Sequence, residues 1–319
     1  MRELILGADG GGTKTKLVAV DARTGAEVAK AISGSIHVHI MGMETAVANM
    51  QAAIRGLRLS RDDRILALGI GDPALDDRGE DTKEPFRQQL LSRGVCPAEA
   101  VCVTKSDVFM ALYAFSGGNP AALIVAGTGS MGVAFQKPYR HGEKNAILTV
   151  GGWGLPVNDP GSACDIAVRG IAAAMDAFDG IAPPTMLCEA ALRFFGAASP
   201  RAMIDVFNGD PLPRNEIAAF AREVDACALS GDRIAADILM AAGEALGKYA
   251  ICLLRGIDTP SRRIGIYGSV LLHNQSVREA FACTVQTVFP NTAVCVPEKP
   301  PEYGAVAFAA HALGIHWEE

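Results

Sequence analysis

Residues 6–16 read Leu-Gly-Ala-Asp-Gly-Gly-Gly-Thr-Lys-Thr-Lys, and this stretch decides how the rest of the chain is interpreted. Apolar runs at 4–8 and 15–20 predict two strands, so the glycines lie in the turn of a hairpin. Consecutive glycines let the backbone approach a ligand and direct several N–H groups at one anion. A plain hairpin turn needs fewer glycines than this. We therefore predict a phosphate-binding loop formed by Gly10, Gly11, Gly12, Thr13 and Lys14.

Three residues of this hairpin have predicted roles in holding a charged phosphate chain. Asp9 ends the first predicted strand, and its carboxylate is placed to hold a magnesium ion through water. The side chains of Thr13 and Lys14 can donate hydrogen bonds to phosphate oxygens.

The predicted elements occur twice in one order, which indicates a duplicated α/β domain. The first copy has strands at 4–8, 15–20 and 27–32, a helix at 43–57, a strand at 65–70, a helix at 84–93, a strand at 101–104 and a helix from 108. The second has strands at 121–126, 131–136 and 147–150, a helical region at 161–256, a strand at 263–268, a helix at 275–283, a strand at 292–296 and a helix at 303–313. We expect an N-terminal lobe at 1–118, with 303–319 returning to it, and a C-terminal lobe at 119–302.

A second glycine-bearing turn follows the first strand of the second copy. Residues 126–132 read Ala-Gly-Thr-Gly-Ser-Met-Gly, and Thr128, Gly129 and Ser130 are predicted to contact phosphate. Alone this motif is weak, because ordinary turns also contain Gly, Thr and Ser. Its position, matching that of the first loop in a duplicated fold, makes the prediction strong.

Composition and charge narrow the possible partners. The chain has 319 residues, a formal net charge of −6 and no basic run, which disfavours a nucleic-acid partner. No apolar run approaches the ~20 residues that a bilayer requires, so we expect no membrane segment and a cytoplasmic protein. The eight cysteines are scattered without a Cys-x-x-Cys pair, which is typical of reduced core residues. An apolar stripe at 234–253 is predicted to be core or the surface of a homodimer.

The two loops resemble those of the actin/hexokinase/Hsp70 superfamily, and the chain is similar to the BadF/BadG/BcrA/BcrD-type ATPase family within it. That branch holds N-acetylglucosamine kinases, bacterial glucosamine kinases and the activator ATPases of 2-hydroxyacyl-CoA dehydratases. The resemblance extends over nearly the whole chain. It rests on Asp-Gly-Gly-Gly-Thr-Lys-Thr (9–15), Gly-Thr-Gly-Ser (127–130) and the less specific Ser-Gly-Ser (33–35), Ser-Asp (106–107), Gly-Gly-Trp-Gly (151–154), Asn-Asp-Pro-Gly-Ser (158–162) and Gly-Ser (268–269). It implies two ribonuclease H-like domains that flank a nucleotide-binding cleft.

The resemblance also assigns roles within this site. Asp107 matches the family's catalytic aspartate, a general base for the sugar hydroxyl, although an N-cap role would explain an Asp at a helix start equally well. Asp159 matches a sugar ligand, and Asp before Pro160 is again a good N-cap. Gly268 and Ser269 match the adenosine side of the nucleotide site. Further predicted sugar contacts are Ser35, His37, Ser106 and Gly152. Trp153 could face a pyranose ring or lie in the core.

The chain departs from the family pattern at several positions. His37 stands where the relatives tend to have Asn, and a histidine reaches differently and can change its charge. Met131 and Pro160 replace polar residues that the N-acetylglucosamine kinases share. Asp72 replaces a small residue in the turn after the fourth strand, without a role that the sequence explains.

These observations favour an ATP- and magnesium-dependent kinase that converts glucosamine to glucosamine 6-phosphate. The missing polar groups at Met131 and Pro160 make N-acetylglucosamine the second choice of acceptor. An activator ATPase would need closely placed cysteines for an iron–sulfur cluster. A non-catalytic sugar sensor would carry a DNA-binding helix-turn-helix segment before the first strand.

Overall fold

A computed structural model describes residues 1–75, 80–142, 147–154, 157–209, 211–257 and 263–317. The described residues divide into two compact units. The first comprises those within Met1–Pro120, Lys137–Ala146 and Pro297–Glu319, and the second those within Ala121–Gln136 and Ile147–Val296.

The strands and helices are numbered in chain order. The strands are β1 (Glu3–Gly10), β2 (Lys14–Asp21), β3 (Glu27–Gly34), β4 (Arg64–Gly71), β5 (Val101–Lys105), β6 (Ala121–Ala126), β7 (Ser130–Phe135), β8 (Ile147–Gly151), β9 (Arg263–Tyr267) and β10 (Ala293–Cys295). The helices are α1 (Val38–Met41), α2 (Met43–Gly56), α3 (Glu80–Ser92), α4 (Asp107–Ser116), α5 (Ala163–Phe178), α6 (Leu187–Phe195), α7 (Met203–Asn208), α8 (Arg214–Ala219), α9 (Ala221–Leu229), α10 (Arg233–Arg255), α11 (Ser269–His273), α12 (Gln275–Val288) and α13 (Pro301–Ala312).

Each unit contains one five-stranded sheet, and the two sheets share one topology. The strand order is β3-β2-β1-β4-β5 in the first unit, and β8-β7-β6-β9-β10 is the matching order in the second. In both sheets the first three strands in sequence are antiparallel neighbours, and the last two pair in parallel. The duplicated α/β fold predicted from the element order is confirmed.

The first sheet is covered on both faces, which explains why its central strand β1 is apolar from Leu4 to Ala8. Leu4, Leu6 and Ala8 of β1 lie in one buried cluster with residues of α2, whereas Ile5 packs on the other face with α13. Contact with α13 is close: a Cβ on Gly7 would lie 2.1 Å from the carbonyl oxygen of Glu302. Glycine in the middle of β1 therefore lets the last helix rest directly on the sheet.

One predicted boundary is wrong in its details. The sequence assigned 119–302 to the second lobe without interruption, but the described residues 137–142 belong to the first unit. The Tyr139 N–H donates to the carbonyl of Gly118, and the Tyr139 ring packs edge-on against Phe109 and Phe308. These aromatic contacts attach the β7–β8 connection to the first unit, and the hydropathy of 137–142 gives no sign of them.

The second unit contains a helical insertion between β8 and β9. The region predicted as helical at 161–256 is divided into α5–α10, with breaks at glycines and prolines such as Gly180, Gly196 and Pro213. The apolar stripe of α10 is core: Leu239, Leu246 and Leu253 are buried. None of the described helices combines the length and apolarity that crossing a membrane requires.

Candidate functional site

Three acidic residues lie at one edge of the first sheet. Strands β1, β4 and β5 are parallel neighbours, with Asp9 opposite Gly71 and Gly71 opposite Lys105. Asp9 is the penultimate residue of β1, Asp72 follows β4, and Asp107 comes two residues after β5. Because parallel strands end at the same sheet edge, three segments distant in sequence bring their carboxyl groups to one place.

Asp107 begins α4 but does not cap it. The hydroxyl of Ser106 is the cap and accepts the N–H of Phe109 at 3.2 Å. The capping explanation for Asp107 is therefore wrong, because the Ser106 hydroxyl and not the Asp107 carboxyl group makes the capping hydrogen bond. Burial raises the pKa of Asp107 to about 6, although the N–H of Val108 acts in the opposite direction. Such a carboxylate is ionised at neutral pH and is a stronger base than an exposed aspartate.

The pKa values of Asp9 and Asp72 are raised as well. Burial, together with the neighbouring carboxyl groups of Glu302 and Asp107, raises the pKa of Asp9 to about 7. Burial likewise raises the pKa of Asp72 to about 7, with Asp107 and Asp9 adding to the effect. The sheet edge is thus a region of negative potential that favours protons or a cation.

The residues fit a hydrated magnesium ion. Asp72 Oδ2 and Glu302 Oε2 are buried oxygens without a hydrogen-bond partner, and hard carboxylate oxygens are the ligands that Mg²⁺ prefers. Within the described ranges, no three Asp, Glu, His or Cys side chains are grouped closely enough to ligate one metal directly. Asp9 and its neighbours would therefore hold the ion through its water shell, as the sequence predicts for Asp9.

Asp72 now has a structural explanation. It is fully buried, its Oδ1 accepts the N–H of Ala74 at 2.9 Å, and it starts the short 3₁₀ turn at Pro73–Leu75. Its Oδ2 would lie 2.6 Å from a Cβ on Gly10, so this oxygen lies directly against the first phosphate loop. The signal in the sequence was an acid directly after an apolar strand, as for Asp9.

The first loop is a tight turn whose outer side is open. Gly11 N–H donates to the carbonyl of Lys14 at 3.0 Å and closes the hairpin. A Cβ on Gly10 would collide with Asp72 and Ile36, whereas one on Gly11 or Gly12 would meet nothing closer than 3.5 Å. None of these three glycines has a positive φ. Gly10 is therefore needed for packing, while Gly11 and Gly12 leave the backbone accessible to a ligand, beside the exposed Thr13 and Lys14.

Ser35 stabilises the first loop by a side-chain hydrogen bond. Its hydroxyl donates to the carbonyl of Gly11 at 2.7 Å and accepts the N–H of His37 at 3.1 Å, and the residue is buried. The predicted sugar contact of Ser35 stays a prediction, to which the structure adds this bracing role. The Nδ1 of His37 is buried without a partner, and burial followed by the neighbouring His39 lowers the pKa of His37. His37 is therefore a neutral imidazole with an unused nitrogen.

The second loop is attached to the start of α5. Gly127 N–H donates to the carbonyl of Gly129, and the Ala163 N–H donates to the carbonyl of Gly127 at 2.8 Å. The hydroxyl of Ser130 donates to the carbonyl of Pro160, also at 2.8 Å. Thr128 is exposed at the tip of the loop. Hydrogen bonds to Pro160 and Ala163 thus fix the conformation of the loop, while the exposed side chain of Thr128 is accessible to a ligand.

Asp159 is buried beside this loop, and both of its oxygens are engaged. Its Oδ1 accepts the N–H of Gly154 at 3.1 Å, and its Oδ2 accepts Nη2 of Arg214 at 2.8 Å. Ser162, and not Asp159, caps α5. The capping explanation is therefore wrong, and the sugar contact stays a prediction. Sequence analysis missed Arg214, because its partner Asp159 is 55 positions away in the chain and no periodic signal connects the two.

The Gly-Gly-Trp-Gly segment needs its glycines for backbone geometry. Gly151, Gly152 and Gly154 all have φ between 71° and 77°, a region that other residues rarely adopt. Trp153 is 68% exposed, so the alternative that placed it in the core is wrong. Its ring is available to an apolar ligand face.

A pocket of about 400 Å³ opens beside the second loop. Its wall includes the predicted nucleotide residues Thr128 and Ser269, and also Asp225 and Asn274, which sequence analysis missed. The Nδ2 of Asn274 donates to Asp225 Oδ1 at 2.7 Å. Gly268 has φ 91° and lies against β6, where a Cβ would be 2.4 Å from the carbonyl oxygen of Ala126. The close approach of this turn to β6 places Ser269 at the pocket.

The structure thus gathers Asp9, Asp107, Ser106, Ser35 and the first loop in the first unit. It gathers the second loop, Gly152, Asp159, Gly268 and Ser269 in the second unit.

Comparisons with known proteins agree with this geometry. The N-acetylmuramic acid/N-acetylglucosamine kinase of Clostridium acetobutylicum is 25% identical over 315 residues, which cover 96% of this chain and 97% of the relative. The glucosamine kinase of Vibrio cholerae is 27% identical over 270 residues, covering 83% and 84%. A crystal structure from Chromobacterium violaceum superposes with a TM-score of 0.75 at 24% identity, covering 97% of this chain and 99% of that one. The family model for the BadF/BadG/BcrA/BcrD ATPases matches residues 6–309. The chain belongs to the BadF/BadG/BcrA/BcrD ATPase family.

Proposed function

We propose that the protein is an ATP-dependent amino-sugar kinase, and that glucosamine, phosphorylated to glucosamine 6-phosphate, is its acceptor. The observation that carries this proposal is the edge of the first sheet. There the raised-pKa carboxylate of Asp107 follows a strand two places from β1, whose end leads into a glycine loop with an open outer side. A base and a phosphate-binding backbone on one rigid sheet are the main parts that phosphoryl transfer requires.

Asp107 acts as the general base. Its carboxylate accepts the proton of the sugar hydroxyl while that oxygen forms a bond to the γ-phosphorus, and the bond to the β-phosphate oxygen breaks to release ADP. The Ser106 cap fixes the start of α4 and so fixes the direction of the Asp107 side chain. A base with a pKa of about 6 takes up the proton readily and returns it to water at neutral pH.

The loops supply contacts to ATP. The backbone of Gly12 and the side chains of Thr13, Lys14 and Thr128 are the proposed contacts to its phosphates. Gly10, Gly11 and Ser130 shape the two loops, since the Gly11 N–H and the Ser130 hydroxyl donate to carbonyl groups of the protein. Magnesium, held through water by Asp9, would neutralise phosphate charge when bound. The pocket lined by Ser269, Asp225 and Asn274 is the proposed adenosine site, since it is open and mixes apolar walls with a few fixed polar groups.

The choice of glucosamine rests on the polar groups that are missing at Met131 and Pro160, and the Vibrio cholerae relative supports it. N-acetylglucosamine is the second candidate, because the Clostridium acetobutylicum relative is named for it. The other proposed sugar contacts are Ser35, His37 and Ser106 of the first unit and Gly152 and Asp159 of the second.

We also propose a cytoplasmic location, which suits the eight free thiols. The homodimer stays a prediction, and the apolar stripe on α10 does not support it because that stripe is core.

A substrate panel tests the function. ADP release would be followed with glucosamine, N-acetylglucosamine, glucose and mannosamine as acceptors, and the product would be identified by phosphorus NMR. We expect kcat/KM for glucosamine to exceed that for the acetamido sugar and for glucose. Preference for N-acetylglucosamine would replace the proposed acceptor, and the absence of phosphorylated sugar with all four would refute the kinase proposal.

A further inference from the structure

Arg214 has no assigned role, yet its guanidinium lies beside the second phosphate loop. Its Nη2 would be 3.7 Å from a Cβ on Gly129, and its Nη1 would be 3.7 Å from a Cβ on Gly154. Asp159 Oδ2 is closer still to Gly129, at 2.9 Å from the same Cβ position, so the guanidinium and its carboxylate partner border the loop together. The arginine side chain is 51% exposed, which leaves it accessible to a ligand.

The buried carboxylate of Asp159 holds the guanidinium of Arg214 in position. Asp159, whose side chain is 3% exposed, accepts Nη2 at 2.8 Å. The other oxygen of Asp159 is held by Gly154 N–H, so the carboxylate cannot rotate freely. The carbonyl of Arg214 also accepts the thiol of Cys164, which ties the start of α8 to α5. A buried carboxylate of this kind orients an arginine more firmly than a solvent-exposed one does.

The second phosphate loop has no positive charge of its own. Residues 126–132 contain no lysine or arginine, whereas the first loop carries Lys14. A nucleotide phosphate that contacts this backbone would meet uncharged N–H and hydroxyl donors and the nearby carboxylate of Asp159, so it needs a cation in the same place. A guanidinium has five N–H donors, and Asp159 accepts from Nη2 alone, so donors remain for phosphate oxygens.

We propose that Arg214 is the cation of the second phosphate loop and donates to an oxygen of the ATP phosphate chain, with Asp159 as its positioning residue. This inference rests on the proposed use of ATP and goes beyond it by naming an unassigned ligand contact. It also gives Asp159 a role that does not depend on the sugar.

Direct nucleotide binding tests the proposal without any sugar. Calorimetry would compare wild type, Arg214→Gln and Arg214→Lys with a non-hydrolysable ATP analogue, ADP and adenosine, all with Mg²⁺. We expect Arg214→Gln to weaken the ATP analogue ~10- to 100-fold, as for loss of a charged hydrogen bond, and to leave adenosine unchanged. Arg214→Lys should recover part of the loss, because it keeps the charge without the planar fork.

The nucleotide series locates the contact. An equal loss for ADP and the ATP analogue supports a β-phosphate contact, and a loss confined to the analogue supports a γ-phosphate contact. A change for the analogue within about twofold overturns the proposal, as does an equal loss for adenosine, because only a phosphate contact discriminates among these ligands.

Two further variants distinguish the positioning of Arg214 by Asp159 from a general effect of losing a surface charge in this unit. Asp159→Asn should reduce affinity for the ATP analogue ~3- to 10-fold, since the arginine loses its charged anchor. Arg193→Gln removes an exposed arginine paired with Glu223 in the same unit and should bind all three ligands as wild type does. If wild type binds ATP but phosphorylates no sugar, the kinase proposal fails while the assignment of Arg214 is still decided by these binding constants.

Discussion

The two units share a sheet topology but place different chemistry at equivalent strand ends. In the first unit β1 ends with Asp9 and Gly10, and Asp72 follows β4. In the second unit the matching strand β6 ends with Ala126, and Gly268 follows β9. The first edge carries carboxyl groups with raised pKa values, whereas the matching strand ends of the second carry no acid and border a pocket.

Glycine shows the same difference at closer range. Gly10 must be small because the carboxyl group of Asp72 occupies the space beside it. Gly268 must be small because its turn lies directly on the backbone of β6. The first unit thus uses a tight turn to bring an acid to its loop, and the second uses one to shape a binding surface. A duplicated fold can in this way carry different chemical groups at equivalent strand ends.

Replacing Asp107, the proposed base, should have the largest effect, because it should lower turnover without changing ATP binding. We expect Asp107→Asn to lower kcat by ~10²- to 10⁴-fold, the range typical of a general base, with ATP affinity unchanged. Steady-state kinetics with the preferred sugar, combined with calorimetry for nucleotide, would measure both quantities. Near-normal turnover in this variant would contradict the assignment of Asp107.

Blocking each loop in turn comes next in size. Gly11→Val and Gly127→Val place side chains where the protein itself leaves room, since the nearest atom to a Cβ is 3.5 Å away at Gly11 and none lies within 4 Å at Gly127. Both variants should fold and lose ATP affinity by ~100-fold, because the added methyl groups occupy the space of the phosphates.

Thermal unfolding of both valine variants would check that their folds are intact. A variant that binds ATP normally would remove its loop from the nucleotide site and leave the other loop as the phosphate contact.

The acidic edge should also make the stability of the protein depend on pH. The pKa of Asp72 rises from 3.8 in its ordinary state to about 7 in the folded protein, so the folded state binds more protons between these values. The free energy of unfolding should therefore fall as pH increases from about 4 to about 7, by at most ~1.4 kcal/mol per pH unit for one proton. Asp72→Asn should flatten this dependence.

Urea unfolding at several pH values, without magnesium or nucleotide, would measure the effect. Asp62→Asn replaces an exposed acid of the same unit and serves as the matched control. Parallel pH profiles for wild type and Asp72→Asn would show that Asp72 is not a shifted group.

The sequence predicted these features unevenly, for identifiable reasons. Strand β6 lies at the predicted residues, and α2 and α12 begin where expected, because apolar periodicity is a local property. Both glycine loops were found for the same reason. The role of Asp107 could not be separated from that of a helix cap by position alone. The structure separates them, because the neighbouring Ser106 is the residue whose hydroxyl accepts the helix N–H.

By itself, the sequence determined the duplicated α/β architecture, the two glycine loops and the family, because these depend on the order of elements and on contiguous motifs. Only the tertiary structure decided which acids share an edge with Asp107, which residues line the pocket, and that Arg214 lies beside Gly129. Those facts depend on parallel strand register and on helix packing, which join residues far apart in the chain and leave no periodic trace in it.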